Sequence, residues 1–156
     1  MTWFEASNHS TAVVPATRED VWAVLVDPQL LPRLTPFLTR IDVDGDHWRW
    51  EMTRIPVLST SFEPSFTEQM TFTDRERIEW KHDPPAGRRE RAGVAGWYAL
   101  ADADGGTRLE IQLSVRADLP LPRVAKPAVT TAMKSVIAGM GKKFGDNLLH
   151  HLRGSR

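Results

Sequence analysis

Glu68, His82 and Tyr98 are the residues of this chain whose types and placement suit chemistry. The stretch FTEQMTFTDRERIEWKHD, residues 66–83, alternates with a period of two. One face carries Phe66, Glu68, Met70 and Phe72, then Ile78, Trp80 and His82. Two ionisable side chains thus share the apolar side of a β-hairpin. Pairing Phe72 with Ile78 around the turn at Asp74 to Glu76 sets Met70 opposite Trp80 and Glu68 opposite His82. Directly opposed Cβ atoms lie about 4.5–5.5 Å apart, so carboxylate and imidazole are within mutual reach. An ionised carboxylate raises a neighbouring histidine's pKa, and burial lowers it. Such a pair suits acid–base work on a bound carbonyl compound, or the orienting of a ligand hydroxyl or carboxyl. A satisfied, partly wet pair at a sheet end without a task has the same appearance. The register of a second hairpin puts Tyr98 beside Leu109 and Ile111, adding a phenol to the candidates.

These groups need a sheet to hold them. Trp48, Trp50, Phe62, Phe66 and Trp80 fall on the same inward face by alternation; inward aromatics are ordinary core, and together they also furnish the apolar lining of a small-molecule cavity. Trp97 falls on the outer face. Before the strands, residues 4–14 read as a first strand ending at Pro15, and ATREDVWAVLV as a helix capped by Thr17. A short second helix is expected from Asp27-Pro28, interrupted by Pro32 and closed by Pro36. Asp44-Gly45-Asp46 marks a tight hairpin. One long strand is expected from Ser59 to Thr73, with Pro64 at an edge or bulge. From Pro127 to Leu152 apolar residues recur at Val129, Met133, Val136, Met140, Phe144, Leu148 and Leu152. That spacing predicts one amphipathic helix roughly 39 Å long at 1.5 Å per residue. Gly139, Gly141 and Gly145 inside it either thin the filling between helix and sheet or admit a close backbone approach. The sum is an α+β fold of about seven antiparallel strands wrapped around a C-terminal helix, forming one domain over residues 1–156.

Composition narrows the function classes. The 20 basic residues balance the 20 acidic ones, so a general nucleic-acid partner, which requires a basic excess, is not expected. With no cysteine there is neither a disulfide, a thiolate metal site nor a cysteine nucleophile. The N-terminus lacks a signal-peptide pattern, and runs such as VWAVLV are too short to span a bilayer. A cytoplasmic protein without integral membrane association is expected, as monomer or homodimer. DVDGD and DADGG look like calcium loops, but the twelfth position from Asp42 is Thr53, so both read as turns. GMGKKFG lies late in a helix rather than between strand and helix, which argues against a phosphate loop. The histidines show no paired ligand spacing, and no G-x-S-x-G occurs. No metal and no cofactor are expected. RRER, residues 88–91, reads as a solvated loop.

The segments VPATREDVWAVLVDPQLLPRLTPFL (14–38), GGTRLEI (105–111) and GMGKKFGDNLLHHL (139–152) resemble the START/polyketide-cyclase-like, or SRPBCC, superfamily. The resemblance implies a helix-grip fold with a deep cavity between sheet and long helix. It also implies a hydrophobic or amphipathic ligand, such as a lipid, polyketide or quinone. Members include binding proteins and polyketide cyclases or dehydratases, and no shared catalytic signature transfers to residues of this chain. Three readings follow: a ligand carrier; an aromatase/cyclase or dehydratase using Glu68, His82 and Tyr98; and an interaction module without a ligand.

Overall fold

In the computed structural model, which describes residues 2–154, strand β1 (Thr2–Val14) leads through Pro15 into helix α1 (Arg18–Leu25). Residues 1, 155 and 156 of the expected domain lie outside that range. The Thr17 hydroxyl accepts from the Asp20 N–H at 3.2 Å, with Glu19 and Asp20 in the first turn, a cap worth about 1 kcal/mol. Asp27 also opens a turn, its Oδ1 accepting from the N–H groups of Gln29 and Leu30. Regular helix there is confined to α2, Leu31–Leu34. Pro32 occupies its first turn, where a missing N–H breaks no intrahelical bond.

Strands follow as β2 (Leu38–Asp44), β3 (His47–Met52), β4 (Ile55–Val57), β5 (Thr60–Phe62), β6 (Ser65–Thr73), β7 (Arg77–His82), β8 (Ala92–Ala103) and β9 (Gly106–Leu119). Seven of them form one antiparallel sheet in the order β1-β9-β8-β7-β6-β3-β2. The expected long strand from Ser59 to Thr73 is divided. Pro64, which donates no N–H to a ladder, separates β6 from β5, and β5 pairs with β4 in a small sheet of its own. Phe62 therefore leaves the inward row of β6 and packs on Val57 and its neighbours instead.

The ladders match the alternation. Phe72 pairs with Ile78, Met70 with Trp80 and Glu68 with His82, while Tyr98 pairs with Ile111 and Trp97 with Gln112. Trp97 is covered on the outer face by the Arg77 guanidinium, 4.5 Å above its ring.

Helix α3 (Lys126–Gly154) crosses the concave face of this sheet. It contributes to two separate apolar clusters. Near its start, Val129, Met133 and Ile137 pack with Phe4, Ala117 and Leu119. Near its end, Leu148 and Leu152 pack with Val21, Leu25, Leu34 and Leu100. Ile137, absent from the expected stripe, is buried, while Met140 and Phe144 are only half-buried. Between the clusters lie Gly139, Gly141 and Gly145, and a Cβ built on any of them meets nothing within 4 Å. These glycines therefore admit no close approach; Gly139 and Gly141 are exposed and Gly145 is partly covered. The edge strand is thinly covered at its middle. Ser10 and Ala12 of β1, which pair with Ile111 and Leu109, are exposed although Phe4 and Val14 at either end are buried. The result is a helix-grip fold whose helix is anchored at both ends and loosely covered in between.

Candidate functional site

Trp48 and Trp50 of β3, Phe66, Glu68 and Met70 of β6, and Trp80 of β7 share the concave face, because Trp48 pairs with Glu68, Trp50 with Phe66 and Met70 with Trp80, and alternate residues of a strand face one way. Trp50 and Phe66 stack with planes 10° apart, and Trp80 lies 5.0 Å from Tyr98 between centroids. Trp48, Phe66 and Trp80 are buried, whereas Trp50 and Tyr98 keep accessible surface. The site is thus a flat-sided aromatic wall in which Glu68 is embedded.

Glu68 is 2% exposed. Burial pushes its carboxyl well above the usual carboxylate range, and the Trp50 indole N–H opposes that shift. The indole comes near the carboxyl without completing a hydrogen bond: Trp50 Nε1 is buried and has no partner of acceptable geometry. Tyr98 is affected by the same neighbourhood. Its phenol pKa is raised, first by burial and then by the charge of Glu68. Tyr98 nevertheless keeps part of its surface accessible. Val94, Leu109, Ile111 and Leu113 on the adjoining strands are likewise only partly buried.

His82 stands opposite Glu68 in the ladder, but its imidazole has another partner. Nε2 bonds Glu90 Oε1 at 2.9 Å. This corrects the expected Glu68–His82 contact, and it corrects the solvated reading of RRER at Glu90, while Arg89 and Arg91 of that loop are exposed as expected. Glu90 is 6% exposed, accepts from the N–H and the hydroxyl of Thr67 at 2.8 Å each, and lies 3.3 Å from Arg88 Nε. The β6–β7 ladder ends at Glu68–His82, so the Thr67 N–H has no strand carbonyl to meet, and the Glu90 carboxylate takes that place. Gly93 leaves room for the ring; a Cβ there would lie 2.5 Å from His82 Nδ1. Period-two reading could not find Glu90, because it lies on a connecting loop with no alternation to orient it.

A surface cleft of about 470 Å³ lies elsewhere, lined by Pro15 to Glu19, Asp102, Gly105 and Gly106. It is an open groove at the start of α1 and contains none of the aromatic wall, so the concave face remains the better site. Among the described residues no group of histidine and acidic side chains has the arrangement of a metal site, and no helix is long and apolar enough to cross a membrane.

The buried Glu68 makes a pH prediction. Its folded pKa is raised above the unfolded value near 4.5, so the stability linked to its neutral form is complete below that value. It is lost as pH rises through the folded pKa. The variant Glu68→Gln cannot ionise. Its melting temperature relative to wild type should rise with pH above about 4.5 and hold constant below. A constant difference from acid to alkaline pH would show that Glu68 is not held neutral.

A family model described as polyketide cyclase / dehydrase and lipid transport matches residues 5–152, nearly the whole chain. The chain belongs to that family. Solved structures place this polyketide cyclase/dehydrase and lipid transport family member in the START-like fold. A conserved protein from Geobacillus kaustophilus superposes with a TM-score of 0.73 at 16% identity, covering 96% of each chain. A START superfamily protein from Mycobacterium smegmatis gives 0.70 at 12% identity, over 96% of this chain and 99% of that one. The di-domain ARO/CYC StfQ from the steffimycin biosynthetic pathway gives 0.68 at 10% identity, over 97% of this chain and 52% of StfQ. At such identities the likeness is one of fold. The comparison with curated proteins yields no match.

Proposed function

We propose that this family member binds a small hydrophobic or amphipathic molecule between the concave face and α3, acting as a carrier in the cytoplasm. The observation that carries the reading is Glu68, a carboxyl 2% exposed within an aromatic wall and without an ion-pair partner among the described residues. A buried polar group costs about 1–3 kcal/mol when its hydrogen bonds are unmade. An apolar residue would serve a solid core better, so its presence supports a site that a ligand completes. Leu109, Ile111 and Leu113 of β9, only partly buried on the concave face, support that face as the place where such a molecule would lie.

Titration with the hydrophobic dye Nile red tests this. The dye should bind with a blue-shifted emission, and Leu113→Trp, which fills that place from β9, should weaken it by about tenfold or more, the equivalent of about 1.4 kcal/mol. No binding, or binding indifferent to Leu113→Trp, would sink the proposal.

A second reading is catalytic. A carboxyl whose neutral form is favoured by burial can donate a proton to a carbonyl oxygen and recover it, with Tyr98 as a further donor. His82 stands at the edge of this wall with its ring engaged by Glu90, and its part would be positional. Under this reading Glu68→Gln removes turnover of a bound polyketide-like carbonyl compound while leaving its affinity within about threefold.

A further inference from the structure

Three features on the concave face bear on what the ligand's polar end must be. The first is Trp50 Nε1, a buried donor with no acceptor. The second is the pair of O–H bearing residues on the same face: Glu68, which pairs with Trp48 next to Trp50 along β3, and Tyr98, whose ring lies 5.0 Å from that of Trp80. Burial favours the protonated form of each, and in that form each presents an O–H. The third is charge. Arg49, Arg77, Lys81, Arg108 and Arg116 alternate with the wall residues and therefore project from the opposite face. The concave positions around Glu68 are Trp48, Trp50, Phe66, Trp80, Tyr98 and the ladder partner of Glu68, His82, the one basic side chain among them, whose ring is already engaged by the Glu90 carboxylate.

Resting on the binding reading above, we propose that Trp50, Glu68 and Tyr98 form a specificity device that selects an uncharged hydrogen-bond acceptor, a carbonyl oxygen, and rejects carboxylate and phosphate head groups. The chemistry is a matter of complement. A carbonyl oxygen has two lone pairs and no charge, so it can accept from the indole N–H and from an O–H without desolvating an ion. An anionic head would enter an apolar site with no free counter-charge, and the desolvation cost of an unpaired ion outweighs the bonds those donors can offer. The stacked Trp50–Phe66 pair adds a flat wall suited to a conjugated or aromatic carbonyl compound.

Isothermal titration calorimetry at neutral pH with three probes of one shape decides the matter: methyl naphthyl ketone, naphthoate and ethylnaphthalene. The ketone should bind about tenfold tighter than the hydrocarbon, the worth of one well-made hydrogen bond, and naphthoate should be the weakest of the three. Trp50→Phe keeps the aromatic wall and removes the N–H. It should bring the ketone down to the affinity of ethylnaphthalene while leaving the hydrocarbon unchanged. Tyr98→Phe, which preserves the ring, should erase part of the same preference and serves if Trp50→Phe folds poorly. Naphthoate binding as tightly as the ketone overturns the proposal, as does a ketone preference untouched by both variants. If none of the three binds, the binding reading itself fails, and this proposal fails with it.

Discussion

Glu90→Ala should lower the stability of the protein by about 3–5 kcal/mol, the usual cost of breaking a buried charged pair from one side. The Glu90 side chain is 1% exposed and gathers four donors: the Thr67 N–H, the Thr67 hydroxyl, His82 Nε2 and Arg88 Nε. Removing the carboxylate leaves the Thr67 N–H buried without an acceptor and an arginine beside it without its counter-ion. For a domain of this size that loss corresponds to a fall of about 10 °C or more in melting temperature. Glu90→Gln retains the shape and loses the charge, and should lie between the two. Urea unfolding of the three proteins provides the measurement. A loss below about 1 kcal/mol for Glu90→Ala would mean that residues 83–91 are not an integral part of the sheet. Because His82 ends the ladder opposite Glu68, the same variant should also loosen the edge of the aromatic wall.

Gly96→Ala is expected to cost about 3 kcal/mol, for a different reason. Gly96 pairs with Trp80 on one side and Leu113 on the other, at the centre of the sheet. A Cβ there would lie 2.0 Å from the backbone oxygen of Gln112. Backbone cannot rotate away as a side chain does, so the β8–β9 ladder itself must shift. Gly93→Ala is the informative comparison, since its Cβ meets the His82 ring at 2.5 Å, and an imidazole can swing at the expense of its bond to Glu90. Gly139→Ala, which meets nothing within 4 Å, should be neutral or stabilising by up to about 1 kcal/mol from helix propensity. The expected order of stability is therefore Gly139→Ala above Gly93→Ala above Gly96→Ala. Equal effects of Gly96→Ala and Gly93→Ala would refute the backbone clash.

Much of the architecture is legible in the residue pattern, because local rules govern it. The period-two rows of residues 66–82 permit one register that keeps both apolar faces on one side of the sheet, and that register is the one observed. Thr17 caps α1 because its hydroxyl is the right distance from a free N–H three residues on. The apolar recurrence from Val129 to Leu152 holds α3 together as one element. In each case the information lies within a few residues of where it acts.

What the chain does not state locally is how neighbours choose among partners. Pro64 is visibly unsuited to a ladder, but that β5 would leave the sheet and pair with β4 depends on where Val57 finds apolar cover, among Met133 and its neighbours on α3. Likewise, opposition in the ladder places Glu68 and His82 within reach, yet the imidazole turns to Glu90, eight residues downstream, because a strand end leaves the Thr67 N–H in need of an acceptor. Glu68 is then embedded in the aromatic wall, its pKa raised by burial that no local pattern measures. Alternation by itself determined which side chains share the concave face. Only the tertiary structure decided which of them are satisfied by protein and which are not, since hydrogen-bond satisfaction and desolvation belong to the packed whole rather than to any one strand.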